Sequence, residues 1–327
     1  MVDLFSSIPV RAEGVTGSFV QTQMQMRARD LFTGLFHIRG ERQLVLLLLH
    51  GRLISLYELV GGRWELLPQI LWDETIASSG GDLRELGLPD EGLRVYRLLL
   101  EADYGEARTM PSIRAYELTP YVSNWHRGGR AGLVFLHQPD VSAVMLLPAR
   151  SPEPTEGVLV SRSQLRTGPA VVTQVRDWGD RLCQVTLCAQ SERSEGWKEY
   201  NLRISFGGFM QRSLERYEEL AGRFLVADLG EQVNMESHSR GWAISLFGHN
   251  LSVRQYFETA VGAGRAYATL LNVINQQMNS VVGNRMAESI FSSAVLQQTE
   301  DERNLVQSYV ISAMLPNSSQ SAARVSR

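Results

Sequence analysis

Cysteine is scarce in this chain, lysine nearly absent and long apolar runs missing, and each shortage removes a class of function. The 327 residues include 2 cysteines, Cys183 and Cys188. Their spacing fits no zinc or redox motif, and on a strand an odd spacing sends the side chains to opposite faces. Buried free thiols in a reducing compartment are the expectation. Lys198 is the only lysine among the 32 Lys and Arg residues. It sits in Ser194-Glu-Gly-Trp-Lys-Glu-Tyr200 and not behind a glycine-rich loop, which argues against a phosphate-loop NTPase and against Schiff-base chemistry. The longest apolar run, residues 44–49, is far below the roughly 18 residues that cross a bilayer. The opening Met-Val-Asp-Leu-Phe-Ser-Ser lacks the basic stretch and apolar core of a secretory signal. A net charge of −3 gives no global attraction to nucleic acid or to an anionic membrane. A cytoplasmic protein with no membrane segment is expected.

What remains is ordinary globular material, 44% apolar and 20% charged, long enough for two or three domains. Residues 19–32 alternate Val20, Thr22, Met24 and Met26 with glutamines, as a strand would, but their composition favours a helix. Strands are expected at about 34–39, 43–50 and 52–59, with His50-Gly51 as a tight turn, and a further one at Trp64. The run 44–49 is apolar at consecutive positions, as in a sheet covered on both faces. A helix with acidic residues in its first turn follows Pro89. The stretch 111–205 reads as β-rich, with strands beginning at Gly132, Ser142, Gly157, Ala170 and Leu182. From about 206 the pattern is helical. Capping boxes appear at Ser252/Gln255 and Thr299/Glu302, and Gly283 marks a stop. The fold class is therefore α/β in the broad sense (α+β). The expected domains are 1–110, 111–205 and 206–316, with an unstructured tail at 317–327.

The two halves echo each other. Gly34-Leu35, an apolar run at 45–48 and Gly51-Arg-Leu-Ile-Ser55 are matched by Gly132-Leu133, a run at 144–147 and Gly157-Val-Leu-Val-Ser161. The echo suggests that the middle segment, over 111–165, is a diverged repeat of 20–60.

The segments Phe19-Val-Gln, Phe32-Thr-Gly-Leu, Gln43-Leu-Val-Leu-Leu and Gly51-Arg-Leu-Ile-Ser resemble the PATAN family, named for the N-terminal region of the cyanobacterial regulator PatA. The resemblance covers residues 17–60, extending to 110 if the adjoining helices belong. Its motif positions here are Thr33, Gly34, Gly51, Arg52 and Leu53. Plain leucines stand where the second strand usually carries an aromatic, and no receiver domain follows. The resemblance implies an α/β adaptor module of bacterial signalling, working with two-component proteins or small GTPases, and brings no catalytic residues.

Other chemistry finds little footing. The six histidines form no HxH, HExxH or HxxxH pattern. Gly262 and Gly264 form GxG, but inside a helical pattern and not after a strand, so close helix packing is the better reading than a dinucleotide. Ser237-His238-Ser239 lacks a nucleophile elbow. The Arg–aromatic residues Trp125, Arg130 and Tyr309 are candidate interface positions, with Gln297-Gln298 and the Leu305–Tyr309 face expected at the surface. The sequence thus points to a non-enzymatic adaptor without cofactor or metal. Its partner would be a regulatory protein, a small GTPase or a two-component regulator; nucleic acid is disfavoured and homodimerisation is left open. The alternative is a sensor holding an apolar ligand between a sheet and a covering helix.

Overall fold

The computed structural model describes residues 5, 7–161 and 164–314. The expected tail at 317–327 lies outside the described residues. The described chain divides into two compact units between Trp197 and Lys198.

In the first unit the meander forms where the alternation places it. Strands β2 (Gly34–Arg39), β3 (Gln43–Leu49), β4 (Arg52–Val60) and β5 (Arg63–Leu66) run antiparallel. His50 and Gly51, at φ +48° and +78°, make the turn between β3 and β4. Strands β1 (Val10–Thr16) and β6 (Gly80–Gly87) complete a sheet in the order β1-β6-β2-β3-β4-β5. Helices α1 (Gly17–Arg29) and α2 (Trp72–Ala77) cover one face, packing Val20 and Ile76 on Phe36, Leu46 and Leu48. Helix α3 (Asp90–Leu100) packs on β2 and β3, next to the opposite face with Leu35, Val45 and Leu47. Cover on both faces explains the unbroken apolar run of β3.

The chain then repeats itself. Strand β7 (Asp103–Arg114), α4 (Leu118–Trp125), β8 (Gly132–Gln138), β9 (Val141–Leu147), β10 (Glu156–Ser161), β11 (Leu165–Gly168), α5 (Ala170–Arg176), β12 (Leu182–Ala189) and α6 (Glu195–Ala221) follow in order. Their sheet runs β7-β12-β8-β9-β10-β11, the same element order and the same strand order as before. The repeat therefore spans far more chain than the echo suggests. Gly34 and Gly132 occupy the same place. Each opens its strand, and a Cβ there would lie 2.1 Å from the carbonyl oxygen of Leu86 or 2.5 Å from that of Cys188, on the neighbouring strand. Gly157 does not match Gly51. It pairs with Met145 inside β10, which is the place of Leu56 opposite Leu46. Gly51 lies in a turn and backs onto α1, so that half of the echo is out of register. The segment from Ala170, expected as a strand, is α5, the counterpart of α2; Val171 and Val175, four apart, share its buried face.

The expected boundary at 110/111 falls inside β7, because the repeats share a core. Helix α3 touches β2 and β3 of one sheet and β9, β10 and β11 of the other. Its residues from Gly92 to Leu100 are all buried, Arg94 and Arg97 included. Arg94 pairs with Glu156 at 3.3 Å and Arg97 with Glu101 at 2.9 Å. Glu101 also accepts from the Tyr57 hydroxyl at 2.6 Å, the Ser194 hydroxyl and the Gly196 N–H at 3.1 Å, the last two at the start of α6. Cys183 and Cys188 are buried free thiols.

The boundary expected at 205/206 falls within α6, which runs into the second unit. There α7 (Arg223–Ser239), the hairpin β13 (Ile244–Phe247) and β14 (Asn250–Val253), α8 (Ala260–Val282), α9 (Asn284–Leu296), α10 (Glu300–Val306), a π-helical turn (Gln307–Ile311) and α11 (Ser312–Met314) pack around Phe206, Phe209, Tyr217 and Tyr267. Ser252 does not cap a helix; it pairs with Ser245 in the hairpin, and α8 starts later with Thr259 accepting from the Gly262 N–H at 3.1 Å. The hairpin is fixed to α7 by Asn234, whose amide accepts from Leu246 N at 2.7 Å and donates to Leu246 O at 3.1 Å. The Thr299/Glu302 capping box forms as expected, with both reciprocal bonds made. Among the described residues no helix is long and apolar enough to cross a membrane.

Candidate functional site

The five motif positions gather at one end of the first sheet and hold a turn together. The Thr33 hydroxyl accepts from the His50 N–H at 3.0 Å, and Gly51 N–H donates to Phe32 O at 2.8 Å. A Cβ on Gly51 would stand 2.6 Å from Ala28 Cα, so only glycine lets this turn rest on the end of α1. Leu53 is half-buried against the core below, and Arg52 is exposed. The His50 ring also has Thr33 Oγ1 3.4 Å from Nδ1 and Asp90 Oδ2 3.9 Å from Nε2. Hydroxyl, imidazole and carboxylate thus stand in sequence, but both gaps are long for hydrogen bonds and the ring is open to solvent.

The interface candidates differ among themselves. Trp125 is half-buried and leans over Gly132, where a Cβ would come within 2.4 Å of its ring. Arg130 is exposed and faces Glu106 at 3.5 Å. Tyr309, in the second unit, is half-buried on α8, and Gln298 is buried; neither lies on an open face. Of the two glycines in the GxG of α8, Gly264 is the close-packing position, while Gly262 meets only the N-cap hydroxyl of Thr259. A Cβ on Gly264 would stand 2.4 Å from the Tyr309 carbonyl oxygen.

A hollow of about 60 Å³ beside α4 and α5 is too small for an organic ligand. A cleft of about 690 Å³ lies among the helices of the second unit. Its floor is Phe209 of α6 and Leu271 of α8, both buried; Phe291 and Val295 of α9 form one side, and Val306, Ile311 and Met314 the other. Leu296 is exposed at the rim.

Local structure explains why the cleft is there. Helix α9 ends at Leu296, and the next turn is anchored by Gln298, which donates from Nε2 to Ser205 O of α6 at 3.1 Å. The Thr299/Glu302 box then starts α10 in a new direction. A π turn follows, its hydrogen bonds spanning one residue more than those of an α-helix, and it presents Gln307 and Ile311 to the cleft.

One cation breaks this apolar lining. Arg303 is half-buried, and its Nη2 makes a single long contact of 3.4 Å to Gln298 O. Its Nε is buried with no hydrogen-bond partner, and no carboxylate lies within ion-pair distance among the described residues. Glu288 also lines the cleft but is exposed. The arrangement suits binding: an apolar trough with one positive charge. Sequence reading missed it because its residues are spread from Phe209 to Met314; the one local sign was Arg303 just inside a capping box. Among the described residues no three His, Cys, Asp or Glu side chains cluster as a metal site. No family model, no curated protein and no solved structure was found to match the chain.

Proposed function

We propose that this protein is a ligand-responsive regulator whose helical unit binds a small molecule with an apolar body. The observation that carries this reading is the 690 Å³ cleft, whose volume and mainly apolar lining are those of small-molecule sites. The π turn in its wall supports the same reading, since such turns concentrate at functional positions. The test is titration with the neutral fluorophore N-phenylnaphthylamine. Saturable binding at one site per chain, abolished by Ser292→Trp at the cleft's exposed lining, is the expected result. Binding that Ser292→Trp leaves intact would refute the cleft as the site.

A second reading, a signalling adaptor of PATAN type, is favoured by the edge of the first sheet. Among the described residues strand β5 has no hydrogen-bonded neighbour on its outer side, and around it Val60, Leu66, Ile70 and Leu71 are exposed, Ile70 at 89%. An open edge with apolar side chains suits docking of another protein's strand or helix. The partner class is a small GTPase or a two-component regulator, and its recovery by the wild-type protein but not by Ile70→Glu is the expected outcome of a pull-down.

A further inference from the structure

We infer that the cleft in the second unit recognises a monoanionic amphiphile, a single carboxylate on an unbranched apolar chain, with Arg303 as the residue that binds the head. The inference rests on the ligand-binding reading above and adds the chemical class. A guanidinium held half out of water with no acidic partner among the described residues is costly, and a ligand carboxylate relieves that cost through paired N–H···O bonds that match its fork. The chain would lie along Phe209, Leu271, Phe291 and Val306, where burial of each methylene is favourable. The charge count favours one negative charge over two. Among the described residues Arg303 is the one basic side chain lining the cleft and Glu288 the one acidic, so a phosphate dianion would bring a second charge without a described counter-ion and set it near Glu288. A cationic head would meet Arg303 unfavourably.

The test is calorimetric titration of the full chain at neutral pH with decanoate, decanol and decyltrimethylammonium, each below its aggregation limit. Decanoate should saturate at one per chain and bind at least about tenfold more tightly than decanol, the difference expected of a charge-assisted contact. The cationic probe should bind more weakly than either. Arg303→Gln, checked for an unchanged melting temperature, should bring decanoate down to the affinity of decanol. Equal affinity for decanoate and decanol in the wild-type protein overturns the carboxylate inference while the cleft reading stands. Tight decanoate binding that Arg303→Gln leaves unchanged overturns the assignment to Arg303. Binding by none of the probes overturns both readings.

Discussion

Glu101 is the single residue on which most of the first unit's polar interior converges. Burial alone would raise its carboxyl, but Arg97 and the hydroxyls of Ser194 and Tyr57 outweigh that and hold it below the ordinary value. A carboxyl with a lowered folded pKa stabilises the fold above its unfolded pKa, about 4.3, and loses that contribution as pH falls through the folded value. Glu101→Gln should therefore cost about 3 kcal/mol at pH 7, in the manner of a buried pair stripped of one member. The gap to the wild-type protein should close as the medium is acidified below about pH 4. Urea unfolding of both proteins at pH 7 and pH 3.5 checks this; a gap that is constant with pH would mean that Glu101 acts through shape alone. In the sequence Glu101 is one acid at the end of a helical pattern, with only Arg97 near it. Its other partners lie far away in the chain, at Tyr57 and Ser194.

Among elements, the duplicated strand openings give a sharper comparison. Gly34 and Gly132 both begin a strand beneath a neighbouring carbonyl, so Gly34→Ala and Gly132→Ala should each destabilise by about 1–3 kcal/mol through overpacking. A large loss at one and none at the other, in thermal melts, would mean that the two places are not mechanically equivalent. Gly264→Ala should cost a similar amount despite alanine's better helix propensity, because its methyl would press on the Tyr309 carbonyl. The elements also show where sequence reading holds. The strands of the meander, α3 and the Thr299 capping box were legible because the pattern that forms them is local. Ser252/Gln255 carries the same kind of capping signal, yet pairing with Ser245 draws Ser252 into a hairpin. The Ala170 segment is short and β-branched, and only burial of Val171 and Val175 on one face decides for helix. The repeat was visible in its glycines, but its true extent and register came only from strand pairing. The cleft depends on where four helices meet, which no window of sequence records.

At the scale of the whole molecule, the division between Trp197 and Lys198 makes a claim about cooperativity. Each unit has a core of its own, the first organised around α3 between two sheets and the second around Phe206, Phe209 and Tyr267. Separate cores allow separate unfolding, so one free energy need not describe the chain. The slowest-exchanging amides of each unit report that unit's own opening: Val45–Leu48 in β3 for the first, Leu270–Ile274 in α8 for the second. Glu101→Gln should speed hydrogen exchange in β3 and leave α8 unchanged; Gly264→Ala should do the reverse. A loss of about 1.4 kcal/mol appears as a tenfold change in rate, well within what mass spectrometry of peptides resolves. In the double variant the two effects should add without interaction, since the sites share no packing partner within a unit. If either substitution speeds exchange equally in β3 and α8, the chain opens as one cooperative body and the division does not mark separate unfolding.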